Sequence, residues 1–147
     1  MSSLKRKILG AVVLILLMDV VIALWVLVYD LETRFPDLDL GRARVGVASW
    51  YSRKDKNIKP VTANGEKFDD GKMTCASWHH PFGTRLVVIN ALTGKWVVCR
   101  VNDRGPNKRL GRTVDLTYAA FKKIANPQRG LTYVTVIPAD KQKSMSV

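Results

Sequence analysis

Hydrophobic positions follow two regimes along the chain. Residues 8 to 29, ILGAVVLILLMDVVIALWVLVY, are apolar almost without interruption, and Asp19 is their one charged residue. From residue 45 onward, apolar residues come in short runs that alternate with polar ones and are separated by glycine and proline. An unbroken apolar run has no preferred face, so its length decides its reading. Twenty-two residues at a rise of about 1.5 Å span roughly 33 Å, enough for the hydrocarbon core of a bilayer. Lys5, Arg6 and Lys7 precede the run, which predicts residues 1–7 in the cytoplasm and the remainder exported. No small-residue cleavage site follows, and no cysteine precedes Cys75. The segment 8–29 therefore reads as an uncleaved signal anchor in the cytoplasmic membrane, not a removable or lipid-modified signal. A charged Asp19 costs about 2.5–3.5 kcal/mol at mid-membrane. Either its apolar neighbours outweigh that cost, or a second membrane helix pairs with it.

Residues 30–44, with Pro36 and Gly41, read as a polar linker. Beyond it, VGVASWY (45–51), RLVVINA (85–91), KWVVCRVN (95–102) and LTYVTVIPA (131–139) are rich in β-branched and aromatic residues and predict strands. LTGK (92–95) suits a hairpin turn between two of them. VDLTYAAFKKIA (114–125) predicts a helix with Thr117 as its N-cap and an apolar stripe of Ala120, Phe121, Ile124 and Ala125. Six or so short strands and one helix predict a mainly β fold, a small closed barrel over 45–138 with a disordered tail at 139–147. A barrel of this size leaves little room inside, so a site is expected in a surface groove across the loops.

Charge narrows the partners. Residues 41–147 hold 20 Lys and Arg against 7 Asp and Glu, a net +13. An exported domain this basic concentrates near anionic surfaces such as wall polymers or lipid headgroups. Nucleic acid is not expected, since no basic helix or aromatic stacking motif is present to read it. No metal-ligand spacing and no cofactor motif occur. Cys75 and Cys99 are the only cysteines. In an oxidising compartment they can close a ring of about 25 residues, worth roughly 3 kcal/mol; alternatively Cys99, in phase with Val97 and Val101, is a small buried hydrophobe.

Polar groups gather in TANGEKFDDG (62–71), TCASWHHPFGT (74–84) and VNDRGPNKRLGRTVDL (101–116). Asp103 ends a strand before Arg-Gly-Pro, where its carboxylate either caps the turn or stands at the barrel rim as an acid/base group. Trp50, Tyr51 and Trp78 are candidates for stacking on sugar faces, or for core packing. Arg104 can hold a glycan carboxylate or acetamido oxygen, or pair with Glu66 or Asp115.

Gly46, Ala48, Ser49, Trp50 and Tyr51, with TANGEKF, PFGT, VNDRGP and GRTVDL followed by AAF, resemble the rare lipoprotein A family in order and spacing over residues 45–137. These are double-psi β-barrels related to expansins. The resemblance implies a six-stranded double-psi barrel and lytic transglycosylation of peptidoglycan, with catalytic Asp103, assisting Glu66, and structural roles for Asp115, Gly105 and Pro106. Asp115 is expected to brace the psi loop by accepting backbone N–H bonds. The sequence departs from the family at Ser77, which stands where the family carries a functional histidine. His79, two residues on, would share Ser77's face of an extended strand and reach the groove, with His80 turned away. Ser52 stands where glycine is usual. A non-catalytic, expansin-like wall-binding module and an interaction protein recruited through Asp19 are the rival expectations.

Overall fold

The computed structural model describes residues 3–34, 37–56 and 58–139. Most of the tail expected to be disordered, residues 140–147, lies outside them. Two compact units separate near residue 36. The first is a single helix, α1 (Ser3–Arg34). Its apolar residues are spread over all faces, and Ser3–Val26 is long and apolar enough to cross a membrane. A helix without a polar face suits a uniformly apolar surrounding. It continues through Asp30–Arg34, so the first five residues of the predicted linker are helical. No glycine or proline interrupts them, and the next one in the sequence is Pro36.

The second unit is a closed six-stranded barrel. Its strands are β1 (Arg44–Tyr51), β2 (Thr74–Ala76), β3 (Arg85–Asn90), β4 (Trp96–Asp103), β5 (Val114–Thr117) and β6 (Leu131–Pro138), in the order β1-β5-β2-β4-β3-β6. The pairs β1/β5 and β2/β4 are parallel and the other four antiparallel. The core follows the period-2 alternation: Ala48, Leu86, Val88, Val97, Val101, Val134 and Val136 point inward together with Cys75 and Cys99, which form a disulfide. Helix α2 (Tyr118–Ile124) adds Ala120, Phe121 and Ile124.

Closure is reinforced by side chains. Asn90, fully inside the barrel end, donates to the carbonyl of Ile124 (2.9 Å) and to Thr132 Oγ1 (3.1 Å), while its Oδ1 accepts from Leu92 N–H (2.8 Å). One side chain thereby ends β3, shapes the hairpin and holds the end of α2. Such a buried amide is tolerated because its groups are satisfied.

Two sequence expectations change. VDLT is not the first turn of a helix but strand β5, paired on both sides. Thr117 does precede α2, yet its Oγ1 donates to the carbonyl of Lys72 (2.6 Å) and makes no cap hydrogen bond. Ala139 belongs to the barrel: it is buried and its N–H donates to Arg85 O (2.8 Å).

Candidate functional site

The ladder places four residues in one row across neighbouring strands. Ser49 of β1 faces Asp115 of β5, Asp115 faces Ala76 of β2, and a shift in register brings Ala76 opposite Asp103 of β4. Two carboxylates therefore stand on either side of a small residue. Ala76 Cβ would lie 3.2 Å from a Cβ at Gly105, a tight contact, so glycine lets the loop after Asp103 fold closely over β2 without displacing Ala76.

Asp103 is half-buried and held by one oxygen. Its Oδ1 accepts the N–H of Ala63 (2.9 Å) and of Arg104 (2.8 Å), and Oδ2 accepts no hydrogen bond from the described residues. The carboxylate is thus fixed in direction with one oxygen left for a proton or a ligand.

Glu66 sits on the loop that supplies Ala63. Its two oxygens form a fork with Arg100, at 2.8 Å each, and accept further from Asn64 Nδ2 (2.8 Å) and Asn102 Nδ2 (3.1 Å). The Arg100 hydrogen bonds, aided by those of Asn64 and Asn102, lower its pKa to about 2. Glu66 is therefore a fixed anion at neutral pH and not a proton donor. Its folded pKa lies below its unfolded value, so what it adds to stability is present above the ordinary carboxylate range and is lost as pH falls toward 2. Carboxyl-carbon NMR of Glu66 should show no titration between pH 3.5 and 8; a midpoint near 4.5 would mean that the Arg100 fork does not persist in solution. Arg100, Asn64 and Asn102 were not singled out in the sequence, although Arg100 and Asn102 share the outward phase of β4.

Arg104 pairs with neither Glu66 nor Asp115. Its Nη1 donates to the carbonyls of Ser77 (2.8 Å) and His80 (3.0 Å), and its guanidinium lies 3.7 Å from the Phe82 ring centre. It clamps the 77–82 turn beside Asp103. That turn reverses the expectation for the histidines. β2 stops at Ala76, so residues 77–80 are not extended, and His80 turns inward with Nδ1 3.1 Å from Ser77 Oγ while His79 is exposed. Burial, helped by the positive charges of His79, Arg42 and Arg44, lowers the His80 pKa to about 4. A histidine depressed in the folded state destabilises as pH falls from about 6.5 to 4, because the unfolded chain binds the proton first. The melting temperature should drop across that window, and His80→Gln should flatten the drop; an unchanged slope would assign the effect to other groups.

The three aromatics separate. Trp78 is exposed; its Nε1 donates to Pro106 O (2.6 Å), and Lys108 Nζ lies 5.0 Å from its ring centre, so it walls the Arg104–Pro106 loop and offers a ring face at the surface. Tyr51 is buried and stacks on Phe68 at 4.9 Å, which removes its ring as a sugar platform. Burial first, then the nearby Asp103 and Asp115 charges, raise its hydroxyl pKa. Trp50 donates to Pro127 O (3.0 Å), meets Tyr118 edge-on and lines a separate cavity of about 470 Å³ that includes neither Asp103 nor Glu66. Asp115 accepts from the Ser49 hydroxyl and from Arg112 Nη2 (3.2 Å), side chains in place of the expected backbone donors. Burial raises its pKa against those two contacts. Ser52 is equally engaged, donating to Asp70 Oδ2 (2.5 Å). Among the described residues, no three His, Cys, Asp or Glu gather as a metal site requires.

Comparison with known proteins places this geometry. The family described as lytic transglycolase matches residues 43–136. A protein of Vibrio cholerae named endolytic peptidoglycan transglycosylase RlpA is 43% identical over 103 residues, 69% of this chain and 38% of that one. One of Nostoc sp. named probable endolytic peptidoglycan transglycosylase RlpA is 42% identical over 91 residues, 62% of this chain and 24% of that one. The chain thus spans only about a quarter to two-fifths of the length of these relatives. Among solved structures, the Streptomyces papain inhibitor superposes with a TM-score of 0.51 at 24% identity, covering 69% of this chain and 98% of that one. The Clavibacter michiganensis expansin does so with 0.51 at 21%, covering 65% and 50%. Those two likenesses show the barrel fold alone. With the sequence match running from the start of β1 into β6, the chain belongs to the lytic transglycolase family of double-psi β-barrels.

Proposed function

We propose that this protein is a peptidoglycan lytic transglycosylase, anchored in the cytoplasmic membrane by residues 8–29 with its barrel on the wall side. The observation that carries it is the state of Asp103: one oxygen locked by two backbone N–H groups, the other without a hydrogen-bond partner among the described residues, at a half-exposed rim. In this reading Asp103 protonates the oxygen between N-acetylmuramic acid and N-acetylglucosamine as the bond from the muramyl C1 to that oxygen breaks. The same carboxylate then takes the proton from the muramyl C6 hydroxyl as its oxygen bonds to C1. A 1,6-anhydro end forms, no water is consumed, and one carboxyl group suffices. Glu66 assists by position: its fork with Arg100 fixes the loop whose Ala63 N–H aims Asp103. Trp78 is the stacking platform beside the site. Like their relatives' names, the motifs point to peptidoglycan glycan strands as the substrate, and Asp19 offers a contact to a partner membrane helix.

A second reading, a wall-binding module without turnover, is favoured by one observation. Ser77 occupies the family's histidine position, is buried, and its hydroxyl is engaged with His80. Purified full-length protein incubated with peptidoglycan separates the two. Soluble fragments carrying anhydro-muramyl ends by mass spectrometry support the enzyme; co-sedimentation with the polymer and no fragments would sink it.

A further inference from the structure

A cavity of about 500 Å³ opens at the end of the barrel away from Asp103. Three stretches of chain meet around it, and each contributes one cation. Lys95 comes from the β3–β4 hairpin, Lys122 from the last turn of α2, and Arg129 from the turn Pro127–Arg129. No Asp or Glu lines the cavity, and none occurs in residues 71–102 or 116–139, which supply its whole wall. The three cations have no hydrogen-bond or ion-pair partner among the described residues. One exposed lysine needs no partner, and Lys122 has an ordinary reason for its place, since a helix C-terminus favours a cation. Lys95 and Arg129 lie outside that helix. A concave surface lined by one sign of charge concentrates its field, and each cation there is at higher energy until an anion enters.

The polar side chains between the cations point to the same kind of ligand. Their oxygens already accept inside the protein. Asn90 Oδ1 accepts from Leu92 N–H (2.8 Å), Asn126 Oδ1 from Gln128 N–H (3.0 Å), Thr93 Oγ1 from Lys95 N–H (3.4 Å) and Thr132 Oγ1 from Asn90 Nδ2 (3.1 Å). What remains is donors. Asn126 Nδ2 and the hydroxyl protons of Thr93 and Thr132 have no acceptor among the described residues. Thr132 is only 8% exposed, and a donor buried to that degree is costly to leave without an acceptor. Three cations and three unused donors complement a ligand that is negative and accepts on every side. A phosphate ester meets both conditions, with about 1.5–2 negative charges at neutral pH and three strong acceptor oxygens, and Lys and Arg are its usual partners. The volume falls in the range of small-molecule sites, so it takes the phosphate together with the unit that carries it.

We propose that this cavity binds a phosphate group esterified to a sugar or to glycerol, as a phosphorylated glycan or a glycerophospholipid headgroup presents it. The site is separate from the rim that holds Asp103. Lys95 directly precedes β4, which ends at Asp103, and eight residue steps of strand cover about 26 Å. Binding there therefore depends neither on the Asp103 carboxylate nor on transglycosylation.

The test is calorimetric titration of the full chain, in non-ionic detergent at low salt, with N-acetylglucosamine 6-phosphate and with glycerol 3-phosphate. Inorganic phosphate, N-acetylglucosamine and the carboxylate N-acetylmuramic acid are the comparison ligands. At least one ester should bind saturably and about tenfold more tightly than any of these three. Tighter binding of the sugar ester identifies a phosphorylated glycan as the source, and tighter binding of the glycerol ester a lipid headgroup; both support the proposal. Lys95→Gln, Lys122→Gln and Arg129→Gln should each weaken binding about tenfold, the weight of one hydrogen bond to a charged group. All three residues are exposed, so the melting temperature should hold. Lys56→Gln makes the same change of charge outside the cavity and should leave binding unaltered. Equal weakening by Lys56→Gln would assign the effect to the net charge of the domain and overturn the proposal, as would no saturable binding of either ester. Inorganic phosphate or N-acetylmuramic acid binding as tightly as the esters would leave a general anion site and also overturn it.

Discussion

Asp103→Asn should abolish the release of anhydro-muramyl ends, a loss of about 10²–10⁴-fold in turnover, the usual weight of a general acid/base group. The substitution is nearly isosteric. Asn can still accept the N–H groups of Ala63 and Arg104 through its carbonyl oxygen, so the loop that aims position 103 keeps its two anchors. What disappears is the oxygen that has no partner among the described residues, replaced by an amide that neither gives nor takes a proton at neutral pH. Folding and affinity for glycan should therefore change little, and the loss should appear in turnover. If Asp103→Asn retains full turnover, the acid lies elsewhere. Asp115 would be the next group to test, since its carboxyl stands one strand beyond Ala76 and is already raised by burial. Glu66→Gln should cost less. It breaks the charged fork to Arg100 and slackens the Ala63 loop but leaves the Asp103 carboxylate in place.

Replacing both cysteines by alanine should lower stability by about 2–5 kcal/mol, which for a domain of roughly 100 residues is a fall of order 10–20 °C in melting temperature. The disulfide joins β2 to β4, and both sulfurs lie in the core, so the loss combines a looser unfolded chain with poorer packing. β2 is only three residues long. The parallel pairing of Ala76 with Asp103 depends on it, and turnover should fall along with stability as the site's central strand loosens. Calorimetry of the oxidised protein, the reduced protein and the double alanine variant would check this. Equal melting temperatures in all three would mean that the bond carries no stability in solution.

The long apolar helix, the alternating strands β1, β3, β4 and β6, and the mainly β barrel were legible because each rests on a local period or on length. The motifs TANGEKF, PFGT, VNDRGP and GRTVDL carry the family in the sequence alone. β2 and β5 were not readable as strands. Three or four residues are too few to show a period, and VDLT continues smoothly into a good helical stripe, so only pairing with neighbours on both sides makes it a strand.

The same limit runs through the site. Sequence could name Glu66, Arg104, Asp115 and two adjacent histidines, but which of them touch was decided by register and by one turn. Glu66 found Arg100 because the 61–67 loop folds over the outer face of β4. Arg104 turned to two carbonyls instead of an acid, and His80 displaced His79 because the strand ends at Ala76. Periodicity fixes which side of its own element a residue occupies. It carries no information on which distant element arrives there, and in a closed barrel with parallel pairs, partners more than thirty residues apart, such as Glu66 and Arg100, meet only once the whole sheet has closed.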